Sequence, residues 1–124
     1  MSKNLEVSVL LDFYGAMLTE KQRDLIDLYY NEDLSLGEIS QLQKITRQGV
    51  RDSIKRGELY LYELEDKLGL MKRYRQLQEV FEKISMLAGN AFEVSSRFRY
   101  ARELTEDIQR IREIALEQLD YEEQ

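Results

Sequence analysis

Cysteine, histidine and proline are absent from this chain of 124 residues, and glycine occurs only six times. Without cysteine and histidine there is no thiolate nucleophile, imidazole base, disulfide or ordinary zinc site. The aspartate-rich, glycine-containing loop that binds calcium is missing as well. Because sheet proteins need turn residues every few positions, the scarcity of proline and glycine favours long helices. We therefore expect an all-α protein that is not an enzyme and that needs no cofactor or metal.

Long apolar runs are also missing. No stretch of about 18 apolar residues, the length of a membrane span, occurs in the sequence. The apolar N-terminal segment is interrupted by Glu6 and Asp12, so it does not have the pattern of a secretion signal. We therefore expect no membrane insertion, and together with the lack of cysteine this predicts a cytoplasmic protein.

Three hydroxyl residues mark helix starts in the first half of the chain. Thr19 and Ser35 are each followed, three positions later, by a partner for a capping box, Gln22 and Glu38 respectively. Thr46 predicts another start, only a few residues after the helix opened by Ser35 should end. Two helices joined by so short a connection must cross steeply, which is the geometry of a helix-turn-helix.

The residues around this turn fit a helix-turn-helix core. The first helix supplies an apolar residue with a small neighbour, Ile39 and Ser40, and the second supplies two aliphatic residues four positions apart, Val50 and Ile54. Lys44 stands where such turns usually carry glycine, because the backbone there is left-handed. We expect the lysine to adopt that conformation at a cost of about 1 kcal/mol.

Apolar spacing predicts the other helices of the first half and their buried faces. A first helix is expected from about Leu5 to Gly15. Leu5, Val9, Asp12 and Phe13 follow its helical spacing, and Leu10, Leu11 and Tyr14 widen its apolar face. The long helix that follows Thr46 should end at Gly69. The aliphatic residues predicted to face inward in the two helices of the motif are Leu36, Ile39, Leu42, Val50, Ile54, Leu61, Leu64 and Leu68.

Beyond Gly69 a helical extension is expected, so that residues 1–69 form a helix-turn-helix domain and residues 70–124 the extension. One helix should cover 71–87 and stop at Ala88-Gly89-Asn90, and another should run from about Phe92 to Leu119. The last helix carries apolar residues at spacings of three and four, close to a heptad seam. This seam predicts a homodimer through the C-terminal helices, and it consists of Leu104, Ile108, Ile111, Ala115 and Leu119.

The net charge is −6, but segment 44–56 carries five basic residues against one acidic residue, a local net charge of +4. With Val50 and Ile54 inward, basic residues fall one turn apart on the opposite side of the second helix, the side that enters the major groove in this architecture. The predicted nucleic-acid-binding residues are Lys44, Thr46, Arg47, Gln48, Arg51, Asp52, Lys55 and Arg56. Arg47, Gln48 and Arg51 would contact base edges. Lys44, Thr46, Lys55 and Arg56 would position the protein on phosphates, whereas Asp52 would repel them.

The remaining aromatic and basic clusters have a structural and a functional interpretation. Most tyrosines and phenylalanines, including Phe13, Tyr14, Tyr29 and Tyr30, fall on apolar helical faces, which favours a core role over base stacking. Basic residues alternate with aromatic ones over 72–75 and 97–102. Solvated helix ends or salt bridges account for these two runs better than nucleic-acid contact, which stays open.

The stretch LLDFYGAMLTEKQRDLIDLYYNEDLSLGEIS, followed by ITRQGVRDSIKRGE and LEDKLGL, resembles the YlxM family of small bacterial proteins over about residues 5–70. The resemblance implies a helix-turn-helix similar to region 4 of sigma factors, of the winged-helix type but lacking the sheet. Genes of this family commonly neighbour those for the signal recognition particle GTPase and its receptor. The resemblance therefore implies an accessory or regulatory role in that pathway, with the particle's RNA or proteins as partners.

Two hypotheses follow. The first is a helix-turn-helix regulator that binds DNA, or the RNA of the signal recognition particle, as a homodimer. The second is an adaptor that binds signal recognition particle components or RNA polymerase without sequence-specific DNA binding. The overall acidic charge and Asp52 favour the second hypothesis, and the basic helix favours the first.

Overall fold

The computed structural model describes residues 3–98 and 101–123, and it is all-α as predicted. A single 3₁₀ turn, Gly15–Met17, follows the first helix. No strand occurs in the two described ranges. The helices are α1 Leu5–Tyr14, α2 Glu20–Tyr30, α3 Leu36–Gln43, α4 Arg47–Leu68, α5 Leu70–Ser96 and α6 Arg102–Glu123.

The chain divides into two compact units, Met1–Lys72 and Arg73–Gln124. The division falls inside α5, and the sequence-based boundary after residue 69 stays a prediction. None of the helices in the described residues combines the length and the apolar character that are needed to cross a bilayer.

The predicted helix starts of the first unit are confirmed. The Thr19 hydroxyl accepts a hydrogen bond from the backbone N–H of Gln22 at 3.1 Å, and the Gln22 side chain accepts one from the N–H of Thr19 at 3.4 Å. Ser35 and Glu38 form the same reciprocal pair at 3.1 and 3.2 Å. Each box satisfies two backbone donors that the helix itself leaves unpaired.

The core of the first unit lies between α1, α2, α3 and α4, with Ile39 of α3 and the seam of α4 fully buried. The aromatic residues predicted as core are confirmed there, since Tyr14 and Tyr29 are buried and Phe13 and Tyr30 pack against them. The buried residues of this core are Val7, Leu10, Leu11, Tyr14, Leu18, Leu25, Ile26, Tyr29, Ile39, Val50, Ile54, Leu61, Leu64 and Met71.

The predicted apolar face of α1 is confirmed at most positions and is wrong at Leu5. Val9 and Phe13 are half-buried against the core. The helix buries Val7, Leu10, Leu11 and Tyr14, whereas Leu5 is 78% exposed. Apolar residues surround most of this short helix, so its periodicity alone does not select one face.

Two further leucines are exposed against prediction, Leu42 and Leu68. Each lies within two residues of a helix end, where the backbone turns left-handed at Lys44 and Gly69 and the chain leaves the direction of the packed face.

The predicted helix boundaries of the second unit are wrong. α5 continues without a break through Ala88, Gly89 and Asn90 to Ser96, and α6 begins at Arg102 rather than near Phe92. A glycine inside a helix costs only about 1 kcal/mol, which packing of Ala88 against α6 offsets. Of the basic and aromatic run 97–102, Arg99 and Tyr100 lie outside the described residues.

α5 and α6 pack against each other in antiparallel orientation. The Thr105 hydroxyl donates to the Ser95 hydroxyl at 2.9 Å, and Gly89 lies against the guanidinium of Arg112. Ala88 and Ala115 are both buried in this contact. α6 therefore uses part of its predicted dimer seam within its own chain.

The corner between α4 and α5 is held by one buried tyrosine and one carboxylate. Glu65 accepts hydrogen bonds from the backbone N–H groups of Met71 at 2.8 Å and Lys72 at 3.2 Å. The Tyr14 hydroxyl donates to Glu65 at 2.7 Å and accepts from the N–H of Leu70 at 3.0 Å. These two side chains satisfy three backbone donors at the start of α5, the role that a capping residue usually has.

This corner predicts a loss of stability in alkaline solution. Burial, and then the hydrogen bond to Glu65, raise the pKa of Tyr14 above its ordinary value. Because the folded state keeps this proton to a higher pH than the unfolded chain, the associated stability is full below pH about 10 and is lost above it. The expected slope is about 1.4 kcal/mol per pH unit for each such tyrosine. Urea unfolding at pH 8 and pH 11 measures it.

Tyr14→Phe is the control for this effect. It should lower the free energy of unfolding at pH 8 by about 1 kcal/mol, because the Leu70 and Glu65 groups lose a partner. Its alkaline slope should be shallower by the contribution of one tyrosine, with the rest coming from Tyr30 and Tyr62, whose pKa values are also raised by burial. An unchanged slope in Tyr14→Phe would contradict the assignment.

Gly57 lets α2 and α4 approach closely. A Cβ atom at this position would lie 2.5 Å from the δ-methyl carbon of Ile26, which is itself fully buried. Overpacking costs about 1–3 kcal/mol, more than the roughly 1 kcal/mol that alanine gains over glycine in a helix. We therefore expect Gly57→Ala to lower the free energy of unfolding by about 1 kcal/mol in urea titrations.

Gly89→Ala is the matched control. Its added Cβ would meet nothing closer than the Arg112 Nε atom at 3.6 Å, an ordinary contact. It should leave the free energy of unfolding unchanged or raise it by up to about 1 kcal/mol. Equal effects of the two substitutions would show that Gly57 does not set the spacing of the helices.

Candidate nucleic-acid interface

The turn between α3 and α4 is the sharp corner that the sequence predicts. Lys44 has a left-handed backbone, with φ 58° and ψ 40°, and its N–H donates to the carbonyl of Ser40. The N–H of Ile45 donates to the same carbonyl at 3.2 Å, while the Ser40 hydroxyl donates back to the carbonyl of Ile45. Sequence reasoning treated Ser40 only as a small residue, whereas its hydroxyl also closes the turn.

α4 starts at this corner with a side-chain cap. The Thr46 hydroxyl accepts a hydrogen bond from the backbone N–H of Gly49 at 2.9 Å. The partial positive charge of the helix N-terminus adds to the basic side chains in the same two turns. The Arg47 guanidinium crosses to α3, since a Cβ atom at Gly37 would lie 3.7 Å from Arg47 Nε. The starts of α3 and α4 are therefore close together on this side of the unit.

The structure separates the two faces of α4 as predicted. Val50 and Ile54 are completely buried. All eight predicted interface residues are exposed, namely Lys44, Thr46, Arg47, Gln48, Arg51, Asp52, Lys55 and Arg56. Arg47, Arg51 and Lys55 are four residues apart in one helix and so form a row along it.

The five basic residues of segment 44–56 form no ion pair with a carboxylate in the described part of the chain. Among residues 3–98 and 101–123, no carboxylate lies within salt-bridge distance of the five cations at positions 44, 47, 51, 55 and 56. The ion pairs that do form lie elsewhere, between Lys3 and Asp33 and within α6. The local positive charge is therefore available to a polyanion.

One contact among the predicted interface residues is absent from the sequence-based prediction. The Gln48 side-chain amide donates to an Asp52 carboxylate oxygen at 2.9 Å. The spacing of four residues, which brings side chains together on a helix, was the available signal. This bond leaves the Gln48 carbonyl oxygen open and gives the Asp52 charge a partner inside the protein.

Comparison with known proteins agrees with this geometry. A family model described as "Putative helix-turn-helix protein, YlxM / p13 like" matches residues 1–97. The chain belongs to the UPF0122 family. The family match covers α1 to α5, and so it extends well beyond the resemblance over residues 5–70 that the motifs indicate.

Several UPF0122 relatives are bacterial proteins of similar length. The chain is 51% identical to the UPF0122 protein of Thermoanaerobacter sp. (strain X514) over 80 residues, which cover 64% of this chain and 68% of the relative. It is 38% identical to the UPF0122 protein of Bacillus thuringiensis (strain Al Hakam) over 108 residues, which cover 87% and 98% of the two chains. These names assign no activity to the relatives.

The left-handed residue at the turn gives a test of the local geometry. Lys44→Gly should raise the free energy of unfolding by about 1 kcal/mol, because glycine adopts this backbone conformation without the steric cost that lysine bears. Lys44→Ala removes the same charge but keeps the Cβ atom, and it should give no such gain. Thermal unfolding of both variants compares them directly, and equal stability of the two would argue against a strained corner.

Proposed function

We propose that this UPF0122 protein is a nucleic-acid-binding regulator that inserts the first turns of α4 into the major groove of duplex DNA. The observation that carries the proposal is the row of exposed cations on the outer face of α4, none of which pairs with a carboxylate of the described chain. In a helix-turn-helix the second helix presents this face to base edges.

Each residue of the interface has a role that follows from its chemistry. Arg47 and Arg51 are able to donate two hydrogen bonds to guanine, and Gln48 suits adenine. Lys44 at the corner and Lys55 and Arg56 further along α4 are suited to phosphate contacts, as is the Thr46 hydroxyl. Asp52 opposes phosphate approach, and its bond to Gln48 fixes the amide that faces the groove.

The charge distribution supports specific over non-specific binding. The chain carries a net charge of −6, so the rest of its surface repels DNA while segment 44–56 attracts it. Such a protein binds non-specific sites weakly and is oriented before contact. A homodimer would place two interfaces on one duplex and offset the low affinity of a single one. We assign this activity to the cytoplasm, in keeping with the lack of cysteine.

The second candidate is an adaptor role in the signal recognition particle pathway, which the resemblance to YlxM suggests. The net charge of −6 and the acidic Asp52 beside the row favour it, because both weaken the overall attraction to DNA phosphates. In that case the same face of α4 would bind the RNA of the signal recognition particle, a protein of the particle, or RNA polymerase.

Salt-dependent binding separates the two candidates. We expect the protein to bind a pool of random-sequence DNA duplexes. Between about 0.05 and 0.2 M salt, the logarithm of the binding constant should fall linearly with the logarithm of the salt concentration, with a slope that corresponds to several phosphate contacts. On duplexes selected from this pool for tight binding, Arg47→Ala and Arg51→Ala should each weaken binding by about 5- to 150-fold, the equivalent of 1–3 kcal/mol. Fluorescence anisotropy of labelled duplexes measures both quantities.

Lys21→Ala is the charge-matched control, because Lys21 is an exposed cation in the first turn of α2, outside segment 44–56. It should leave affinity and salt slope unchanged. Equal losses in all three variants would mean that only net charge matters. If signal recognition particle RNA is retained at about 0.15 M salt while the duplexes selected from the pool are not, the adaptor role is the correct one.

A further inference from the structure

α5 carries two apolar rows, and α6 covers only one of them. The row that faces α6 consists of residues that are all buried or half-buried, namely Gln78, Phe81, Ser85, Ala88, Phe92 and Ser95. Successive members of this row are three or four residues apart, which is the spacing of helix-to-helix packing.

The second row of α5 is more apolar and is left exposed. It too alternates spacings of three and four, and no polar residue interrupts it over three heptads. Its members are Leu77, Val80, Ile84, Leu87, Ala91, Val94 and, just after the helix, Phe98, and all of them are exposed. All leucine, isoleucine and valine side chains of positions 77–96 lie on this exposed row, whereas Phe81 and Phe92 lie on the covered one. A helix pair surrounded by water would bury more of these aliphatic side chains.

α6 extends the same exposed face. Leu104, Ile111 and Ile114 are between 47% and 57% exposed. They line shallow apolar hollows together with residues of the α5 row, such as Ile84 and Val94. Asp107 falls between Leu104 and Ile111, so most of the apolar area comes from α5. The two helices together form one face, with a ridge along α5 and hollows between α5 and α6, which we name the α5–α6 face.

The geometry points to a second copy of this chain as the occupant of the α5–α6 face, with α5 of each copy packed against α6 of the other in a four-helix bundle. An isologous interface needs a surface that is complementary to itself, and a ridge beside hollows on one face provides this. The α5 row is about 30 Å long and two helices are about 20 Å wide, so the face covers on the order of 600 Å². Stable interfaces bury about 600–1,000 Å² per partner, so the α5–α6 face is large enough for a small stable dimer interface.

Charges at the edges of the face favour this pairing. Beside the α5 row, on the side away from α6, lie the exposed residues Lys83, Asn90 and Arg97, seven positions apart. Beside the α6 row lie Glu103, Arg110 and Glu117, also exposed and seven apart. A twofold axis parallel to the helices sets Arg97 opposite the Glu103 position of the second copy and Lys83 opposite the Glu117 position.

The alternative pairing of α5 with α5 is disfavoured by the same charges. It would bring Lys83 and Arg97 close to their own copies, and Glu103 and Glu117 to theirs. The α5-to-α6 register also agrees with that inside the hairpin, where Ser95 lies level with Thr105 and Arg97 therefore lies level with Glu103. This inference depends on α5 and α6 alone and not on DNA binding.

Two adjacent residues give a matched test of the face. Leu87 belongs to the exposed row and Met86 lies outside it, and both are 66% exposed. In sedimentation equilibrium of the whole chain we expect a dimer at micromolar concentration. Leu87→Asp should raise the dimer dissociation constant about 100-fold or more, because two uncompensated carboxylates would be buried. Met86→Asp should leave it unchanged.

Circular dichroism should show the same helix content in both variants, since neither side chain is part of the packed core. A wild-type chain that stays monomeric at tens of micromolar, or equal weakening by Met86→Asp, would overturn the proposal. A monomer that is captured by a different protein through this face would overturn it as well.

A charge exchange tests the pairing itself. The double variants Lys83→Glu with Arg97→Glu and Glu103→Lys with Glu117→Lys should each dimerise about 10-fold or more weakly than wild type, through like-charge contacts. Mixed in equal amounts they should form a heterodimer, because each α5 edge then meets an α6 edge of opposite charge. If the mixture is no more associated than either variant alone, the α5-to-α6 pairing is wrong.

Discussion

Burial of a single seam on α4 is the constraint on which the first unit depends. Val50, Ile54 and Leu61 are completely buried and are contacted by the helices that surround α4. Since the helix turns 100° per residue, fixing these side chains inward fixes which residues face outward. The position of the basic row is therefore a consequence of core packing, and it needs no separate interaction to orient it.

The left-handed corner at Lys44 makes this arrangement possible. Without it α3 would continue in the direction of α4, and Ile39 would not reach the same core as Val50. Lysine bears a steric cost there that glycine would avoid, yet it adds a cation at the edge of the basic row. The conformational cost and the electrostatic gain at this position act in opposite directions. The stability of the fold and the local positive charge are therefore linked through one residue.

Local signals in the sequence were sufficient wherever the decisive interaction is itself local. Both capping boxes, the cap at Thr46 and the left-handed turns at Lys44 and Gly69 involve residues no more than five positions apart, and the sequence predicts them. The outward face of α4 could also be predicted, because Val50 and Ile54 define one clear apolar side. The buried face of α1 could be predicted only in part, because apolar residues occur on nearly every side of this helix: Leu5 is exposed and Val7 is buried.

Sequence signals failed where a contact with a residue distant in the sequence determines the local structure. Gly89 and Asn90 form a typical helix-ending pair, but α5 continues through them because residues on both sides pack against α6: Ala88 lies beside Ile108, and Ser95 bonds to Thr105. Within the interface, the bond between Gln48 and Asp52 and the closure of the turn by Ser40 require side-chain positions that residue types alone do not supply.

The heptad pattern of the last helix shows a more general limit of prediction from apolar spacing. Alternating spacings of three and four indicate that a helix packs against another helix, but they do not indicate which one. In α6 the predicted seam is divided, since Ile108 and Ala115 turn toward α5 while Leu104 and Ile111 stay exposed. α5 carries the complementary pattern, with one row covered by α6 and a second, more apolar row that α6 leaves exposed. A helix that is apolar over so wide an arc needs cover on two sides, and the described chain supplies cover on one.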